Sequence, residues 1–145
     1  MRLLRHTGIF VENLEKMKDF YSAAFNMTEA VHDIETGDYI ANLYGMGGSR
    51  IQAELYKLVT NDGCMIELLK MNPEVDEDVH SDQVFYRGCA HIAFTVNDVD
   101  GLYDRLSKEG LEFNSSPLLS RDGKHKVCFC KDPEGNFLEL VEEII

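Results

Sequence analysis

An internal repeat is the feature that most limits the possible folds of this 145-residue chain. The strand-like run that contains Glu139 is matched in the first half of the chain by a run that contains Glu67, and in both runs the glutamate lies between large apolar residues. A second match superposes the run that begins at His6 on the run that begins at His91. A carboxylate in an apolar run is costly to bury without a positive partner. The repeat therefore predicts two such carboxylates that share one partner.

The first repeat begins with a predicted strand, Arg5–Val11, and a predicted helix, Leu14–Phe25. Apolar residues in the helix recur with helical spacing, and Asn13 is a suitable N-cap. Glycine-containing turns separate the segments that follow. We interpret the repeat as a β-α-β-β-β module that the Glu67 strand closes, with strand candidates at Thr28–Ile34, Tyr39–Tyr44 and Arg50–Leu58.

The second repeat begins with a strand over Cys89–Val96 and a helix over Val99–Leu106, with Asp98 as N-cap and Gly110 just beyond the helix end. Further strands are predicted near Glu112–Asn114, Leu118–Arg121 and Lys126–Lys131, before the strand of Glu139. The polar, acidic stretch between the repeats contains a proline and is typical of a linker. We therefore expect one α+β domain of two βαβββ modules, residues 4–71 and 89–145, joined by an acidic linker, residues 72–88.

The repeat aligns chemistry as well as pattern, because each half contributes one histidine and one glutamate. Strand alternation places His6, Glu67, His91 and Glu139 on the faces turned away from the helices. If the first and last strands of each module are neighbours, these four side chains can converge on one concave face. Two neutral imidazoles and two carboxylates are donors that suit a divalent metal ion, and the ion would offset the cost of burying the acids.

Composition excludes several classes of protein. The formal net charge is −12, which argues against a nucleic acid partner because phosphate binding needs clustered lysine and arginine. No apolar run approaches the roughly 20 residues of a membrane span, and the N-terminus lacks the apolar core of a signal peptide. We therefore expect a cytoplasmic protein without a membrane partner. The cysteines lack zinc-site spacing and are expected to be reduced core or strand residues: Cys64, Cys89, Cys128 and Cys130.

Three segments carry a resemblance to a known family: His6–Glu15, His91–Asp98 and Asp132–Leu140. Together with the paired modules, they resemble the vicinal oxygen chelate superfamily over nearly the whole chain. The superfamily includes glyoxalase I, methylmalonyl-CoA epimerase, extradiol dioxygenases, fosfomycin-resistance enzymes and metal-free bleomycin resistance proteins. The resemblance implies an open cup of eight strands with a divalent metal inside.

The resemblance also implies roles for individual residues. By position, His6, Glu67, His91 and Glu139 match the metal ligands of the family. Extradiol dioxygenases use two histidines and one carboxylate, so the second carboxylate favours the glyoxalase and epimerase branch. The chemistry of that branch is removal of a proton next to a carbonyl, with the metal stabilising the enediolate as a Lewis acid. Glu139 matches the catalytic base, and Glu67 is the candidate for the second base that an epimerase needs.

Three functions remain open at this point. The first is a glyoxalase I-like, metal-dependent lyase or isomerase acting on a small molecule with adjacent oxygens. The second is an epimerase of an acyl-CoA or another α-substituted acid, and the third is a non-catalytic binding or resistance protein. The native metal is open among Zn, Ni, Co, Mn and Mg, since all accept nitrogen and oxygen ligands. We expect a homodimer, and the long linker permits modules of one chain or of two chains to combine.

Overall fold

The computed structural model describes residues 5–43, 46–73, 91–120 and 122–144. The chain divides into two compact units between Glu77 and Asp78. The described residues form two four-stranded sheets with helices, which confirms the α+β fold class. None of the described helices combines the length and the apolar character needed to cross a membrane.

The first unit contains one sheet in the order β1-β4-β3-β2. Strand β1 runs parallel to β4, whereas β3 is antiparallel to both β4 and β2. Its elements are β1 (Thr7–Phe10), α1 (Leu14–Phe25), β2 (Thr28–Thr36), α2 (Asp38–Leu43), β3 (Gln52–Val59) and β4 (Met65–Asn72).

The second unit repeats this topology in the order β5-β8-β7-β6. Strand β5 runs parallel to β8, and β7 is antiparallel to both β8 and β6. Its elements are β5 (Ile92–Thr95), α3 (Val99–Lys108), β6 (Leu118–Leu119), β7 (His125–Lys131) and β8 (Phe137–Glu143).

Side-chain caps fix where the two long helices begin. Asn13 Oδ1 accepts the Lys16 N–H at 3.0 Å, and Asp98 Oδ1 accepts the Gly101 N–H at 2.9 Å. Each cap satisfies a donor that has no partner within the first helical turn. Gly110 follows α3 with φ of +92°, a conformation that glycine adopts without strain. Both predicted N-caps and the glycine stop are therefore confirmed.

The helices pack on one face of their own sheets. Helix α1 packs on β3 and β4, and α3 packs on β7 and β8. The apolar side of α1 is fully covered at Met17 and Tyr21, and Leu68 and Leu140 occupy equivalent, fully buried positions in β4 and β8. Burial of large aliphatic side chains stabilises each unit by about 1.5–3 kcal/mol per residue. The opposite sheet faces carry His6, Glu67, His91 and Glu139, as the alternation predicted.

The prediction of a strand over Tyr39–Tyr44 is wrong, because Asp38–Leu43 forms helix α2 and Tyr44 lies outside the described residues. Ile40 and Ala41 are both buried, in a cluster with residues of β3 and the segment before it. Adjacent residues of a strand point to opposite faces, whereas adjacent residues of a helix can face the same neighbour. Without this candidate, the first unit has the four strands of a βαβββ module.

Two predictions for the second unit also need correction. No strand forms over Glu112–Asn114, where Phe113 makes an isolated bridge to Cys130, and β6 is only two residues long. Cys128 and Cys130 are free, buried residues of β7, as expected, but Cys64 is exposed and precedes β4. The remaining predictions, for Cys89, Arg121 and linker residues 74–88, concern positions outside the described residues.

Candidate metal centre

The first unit brings one predicted histidine and one predicted glutamate together. In the parallel pairing of β1 and β4, Gly8 lies opposite Glu67, and His6 precedes Gly8 by two residues on the same face. His6 Nε2 lies 3.1 Å from Glu67 Oε2. The Nδ1 atom of His6 is buried and has no hydrogen-bond partner among the described residues. The register of two parallel strands therefore determines this contact.

The second unit makes the same contact through β5 and β8. Ala93 lies opposite Glu139, His91 precedes Ala93 by two residues, and His91 Nε2 lies 3.3 Å from Glu139 Oε2. The ring of Phe129 meets the His91 ring edge-on, with centroids 5.3 Å apart. The repeat in sequence is therefore a repeat in the local geometry of these side chains.

The two pairs have the donor chemistry and spacing of metal ligands. Two donors that bind one ion at about 2.1 Å and at a right angle are about 3 Å apart, which matches both nitrogen–oxygen separations. Imidazole nitrogen and carboxylate oxygen suit several divalent ions. Within the described ranges, no three His, Cys, Asp or Glu side chains form a group that could hold a metal. Each unit by itself therefore supplies two donors.

A lysine makes the two pairs different, and the sequence interpretation missed it. Lys57 lies directly opposite Glu67 in β3, and its Nζ is 3.4 Å from Glu67 Oε1. In the second unit the residue directly opposite Glu139 is Phe129. The signal was available in the sequence, because the alignment that superposes Glu67 on Glu139 also superposes Lys57 on Phe129. The two oxygens of Glu67 thus have different neighbours, His6 and Lys57.

Helix α2 covers one end of the face that carries Glu67. Ala53 and Lys57 have the same parity in β3, and Ala53 pairs with Met71 of β4. Ile40 of α2 and Ala53 belong to one buried apolar cluster, and Met71 packs against this cluster. The segment that was predicted as a further strand therefore forms an apolar wall beyond Glu67, towards the end of β4.

A third His–Glu contact lies on the opposite face of the first sheet. His32 Nε2 is 2.8 Å from Glu54 Oε1, and the His32 ring stacks on Tyr56 with centroids 4.3 Å apart. The same alignment of the two repeats superposes Glu54 on Lys126, so this contact has no counterpart in the second unit.

Tyr56 also links this opposite face to helix α1. Its hydroxyl donates to Glu15 Oε1, while Lys18 Nζ lies 2.6 Å from Glu15 Oε2. The hydrogen bonds from Lys18 and then Tyr56 lower the pKa of Glu15, and the bond to Glu15 raises the pKa of Tyr56. In β7, burial raises the pKa of Cys128 to about 11 and that of Cys130 to about 12. Neither buried thiol is a nucleophile near neutral pH.

The repeated topology and the repeated His–Glu contact define a class: α+β proteins built from two βαβββ modules with donor residues on the first and last strands. The chain belongs to the Glyoxalase/Bleomycin resistance protein/Dioxygenase superfamily, whose family model matches residues 3–140. This match confirms the family resemblance found in the sequence.

Known relatives agree with this assignment. A lactoylglutathione lyase of Schizosaccharomyces pombe is 26% identical over an alignment of 145 positions that covers 97% of this chain and 47% of the relative. The chain thus spans about half the length of this curated relative. A glyoxalase family protein from Bacillus cereus has a TM-score of 0.88 at 26% identity, with 100% of this chain and 97% of the other covered.

A more distant structure shows the same fold. A genomically encoded fosfomycin resistance protein from Listeria monocytogenes, complexed with Mn(II) and sulfate, has a TM-score of 0.61 at 18% identity. The match covers 100% of this chain and 95% of that protein. At this identity the likeness concerns the fold alone.

Proposed function

We propose that this chain is a divalent-metal-dependent, glyoxalase I-like lyase or isomerase that removes a proton next to a carbonyl of a small molecule. The observation that carries the proposal is the repeated His–Glu contact, 3.1 Å in one unit and 3.3 Å in the other. The similarity to a lactoylglutathione lyase supports this reaction type.

In this proposal His6, Glu67, His91 and Glu139 hold one divalent ion. The first pair comes from one unit and the second pair from the other unit, either of the same chain or of the second chain of a homodimer. The bound ion would act as a Lewis acid towards the negative charge that develops on adjacent substrate oxygens. The candidate ions include Zn, Ni, Co, Mg and Mn, and Mn(II) is the ion found with the fosfomycin resistance protein of the same fold.

Glu139 takes the role of general base. Its side chain is a quarter exposed, so a substrate can reach it. A base must lie within hydrogen-bond reach of the proton it removes, and Glu139 has the apolar Phe129 directly opposite it in β7, which leaves that side of the carboxylate without a competing charge. Glu67 is less exposed and contacts both His6 and Lys57, which suits a ligand that keeps its position.

The second candidate function is epimerisation of an acyl-CoA or another α-substituted acid. It is favoured by the presence of one carboxylate in each unit, because an epimerase needs one base on each face of the carbon acid. In that reaction Glu67 delivers or removes the second proton. A non-catalytic binding protein is the third candidate, and metal binding separates it from both enzymes.

The first test is metal content. After equilibration with Mn(II), Ni(II), Co(II) or Zn(II), the wild-type protein should retain about one ion per four-donor site, measured by plasma mass spectrometry. His6→Ala and His91→Ala should each lower retention, whereas His32→Ala, which removes the unrepeated His–Glu contact, should not. A wild-type protein that retains no divalent ion would refute both enzyme proposals.

The second test is proton exchange. Glu139→Gln should abolish exchange of a solvent deuteron into the substrate while the metal is retained, and Glu54→Gln should leave exchange unchanged. Methylglyoxal–thiol adducts test the lyase reaction, and a 2-methyl acyl thioester tests the epimerase. Unchanged exchange in Glu139→Gln would reject its role as base.

A further inference from the structure

Lys57 is a cation beside one of two otherwise similar donor pairs. On the face that carries Glu67, the residues of β3 from Gln52 to Val59 are Ala53, Leu55, Lys57 and Val59, so Lys57 is the single charged residue of that row. Its side chain is 24% exposed and its Nζ lies 3.4 Å from Glu67 Oε1. Glu67 is therefore the charged partner of this partly buried ammonium.

The donor geometry does not require this lysine. The pair His91–Glu139 forms at 3.3 Å with Phe129 in the equivalent position, while the pair His6–Glu67 forms at 3.1 Å with Lys57. The histidine and glutamate therefore meet with or without a cation opposite the glutamate. Since strand register suffices to make the contact, the positive charge serves a different purpose.

The charge balance of the four proposed ligands indicates what the positive charge of Lys57 is for. Two carboxylates balance the charge of one divalent ion, and two neutral imidazoles add none. The ammonium of Lys57 adds one positive charge beside this neutral set, in a protein whose net charge of −12 repels anions. Within the described part of the chain, Lys57 Nζ approaches one carboxylate oxygen, Glu67 Oε1, and since an ammonium has three donors it can also meet a second acceptor.

We infer that Lys57 binds an anionic group of the substrate next to the metal ligands, so that the substrate is a small acid with a carboxylate or a similar anion beside its adjacent oxygens. This inference rests on the proposed function and narrows it to charged substrates. Because the equivalent position of the second unit holds the apolar Phe129, the inferred anion site belongs to the pair of the first unit.

Two hydroxamates that differ by one carboxylate provide the test. Acetohydroxamate offers two adjacent oxygens, and the monohydroxamate of malonic acid offers the same oxygens with an added carboxylate. Binding of each to the metal-loaded full chain is measured by titration calorimetry. The wild-type protein should bind the carboxylated probe more tightly, by about tenfold to a hundredfold, as one charge-assisted hydrogen bond provides.

Lys57→Met should reduce the ratio of the two affinities to about one, whereas Lys57→Arg should keep most of the preference for the carboxylated probe. Lys126→Met is the matched control, because Lys126 is a strand lysine of similar exposure, 28%, that pairs with Asp100. The inference is overturned if Lys57→Met still prefers the carboxylated probe, or if the wild-type protein shows no such preference. In either case the proposed metal binding would not be affected. A wild type that binds no metal overturns the inference together with the proposed function.

Discussion

The unequal surroundings of the two glutamates predict unequal effects of neutralising them in the metal-free protein. Glu67→Gln removes the charge from a side chain that is 13% exposed and contacts both His6 and Lys57. Glu139→Gln removes it from a side chain that is 25% exposed, contacts His91 and faces Phe129. The first substitution leaves an ammonium without its carboxylate, and the second does not.

The expected magnitudes follow from this difference. A mostly buried polar group that loses its partner costs about 1–3 kcal/mol, so Glu67→Gln should lower the free energy of unfolding by roughly that amount. The contact of Glu139 with His91 is partly exposed, and such surface contacts contribute about 0–1 kcal/mol, so Glu139→Gln should change the free energy of unfolding by less than about 1 kcal/mol. Adding Lys57→Met to Glu67→Gln should restore part of the loss, because the unpaired charge is then gone.

The assay is urea unfolding in the presence of EDTA, with linear extrapolation to water. Far-UV circular dichroism is the suitable probe because the chain contains no tryptophan. Equal losses for Glu67→Gln and Glu139→Gln would refute the argument, as would a double variant that is less stable than Glu67→Gln alone. Either result would mean that the contact of Lys57 with Glu67 does not stabilise the first unit.

Two further predictions concern groups outside the candidate site. The pKa of Glu15 is lower in the folded protein than its ordinary value of 4.5. The ionised Glu15 side chain therefore contributes fully to stability above pH 4.5, and this contribution is lost as the pH falls through the pKa of the folded protein. Glu15→Gln should therefore lower the melting temperature at pH 7 and have a smaller effect near pH 3, as calorimetry at both pH values would show; an equal effect at both would contradict the assignment. In titration with a thiol reagent at pH 8, Cys64→Ser should remove one fast-reacting thiol, whereas Cys130→Ser should remove none, because Cys130 is buried and its pKa is raised to about 12. If Cys130→Ser instead removes a fast-reacting thiol, β7 must open readily enough to expose Cys130 to the reagent.

Much of the fold followed from local patterns. The bounds of α1 were predicted residue for residue, and both N-caps were identified, because apolar spacing and capping chemistry act within one or two helical turns. The failure at residues 39–44 has a non-local cause. These residues form an apolar run too short to distinguish a strand from a helix, and the burial of Ile40 and Ala41 by distant residues decides the outcome.

The candidate site was predicted in part. The repeat and the strand alternation selected His6, Glu67, His91 and Glu139, and each histidine lies beside the glutamate of its own unit. Their joint binding of one metal stays a prediction. The repeat alignment matches Lys57 with Phe129, but that alignment alone does not show that the ammonium reaches Glu67, so Lys57 was overlooked.

The sequence by itself determined that the chain consists of two similar modules, where their helices begin, and which face of each strand carries the histidines and glutamates. Only the tertiary structure decided which of those side chains meet, that Asp38–Leu43 is a helix, and that the two glutamates have different neighbours. The physical reason is the range of the interactions. Alternation and capping depend on neighbours within a few residues, whereas the contacts of Glu67 depend on the register of β4 with both β1 and β3.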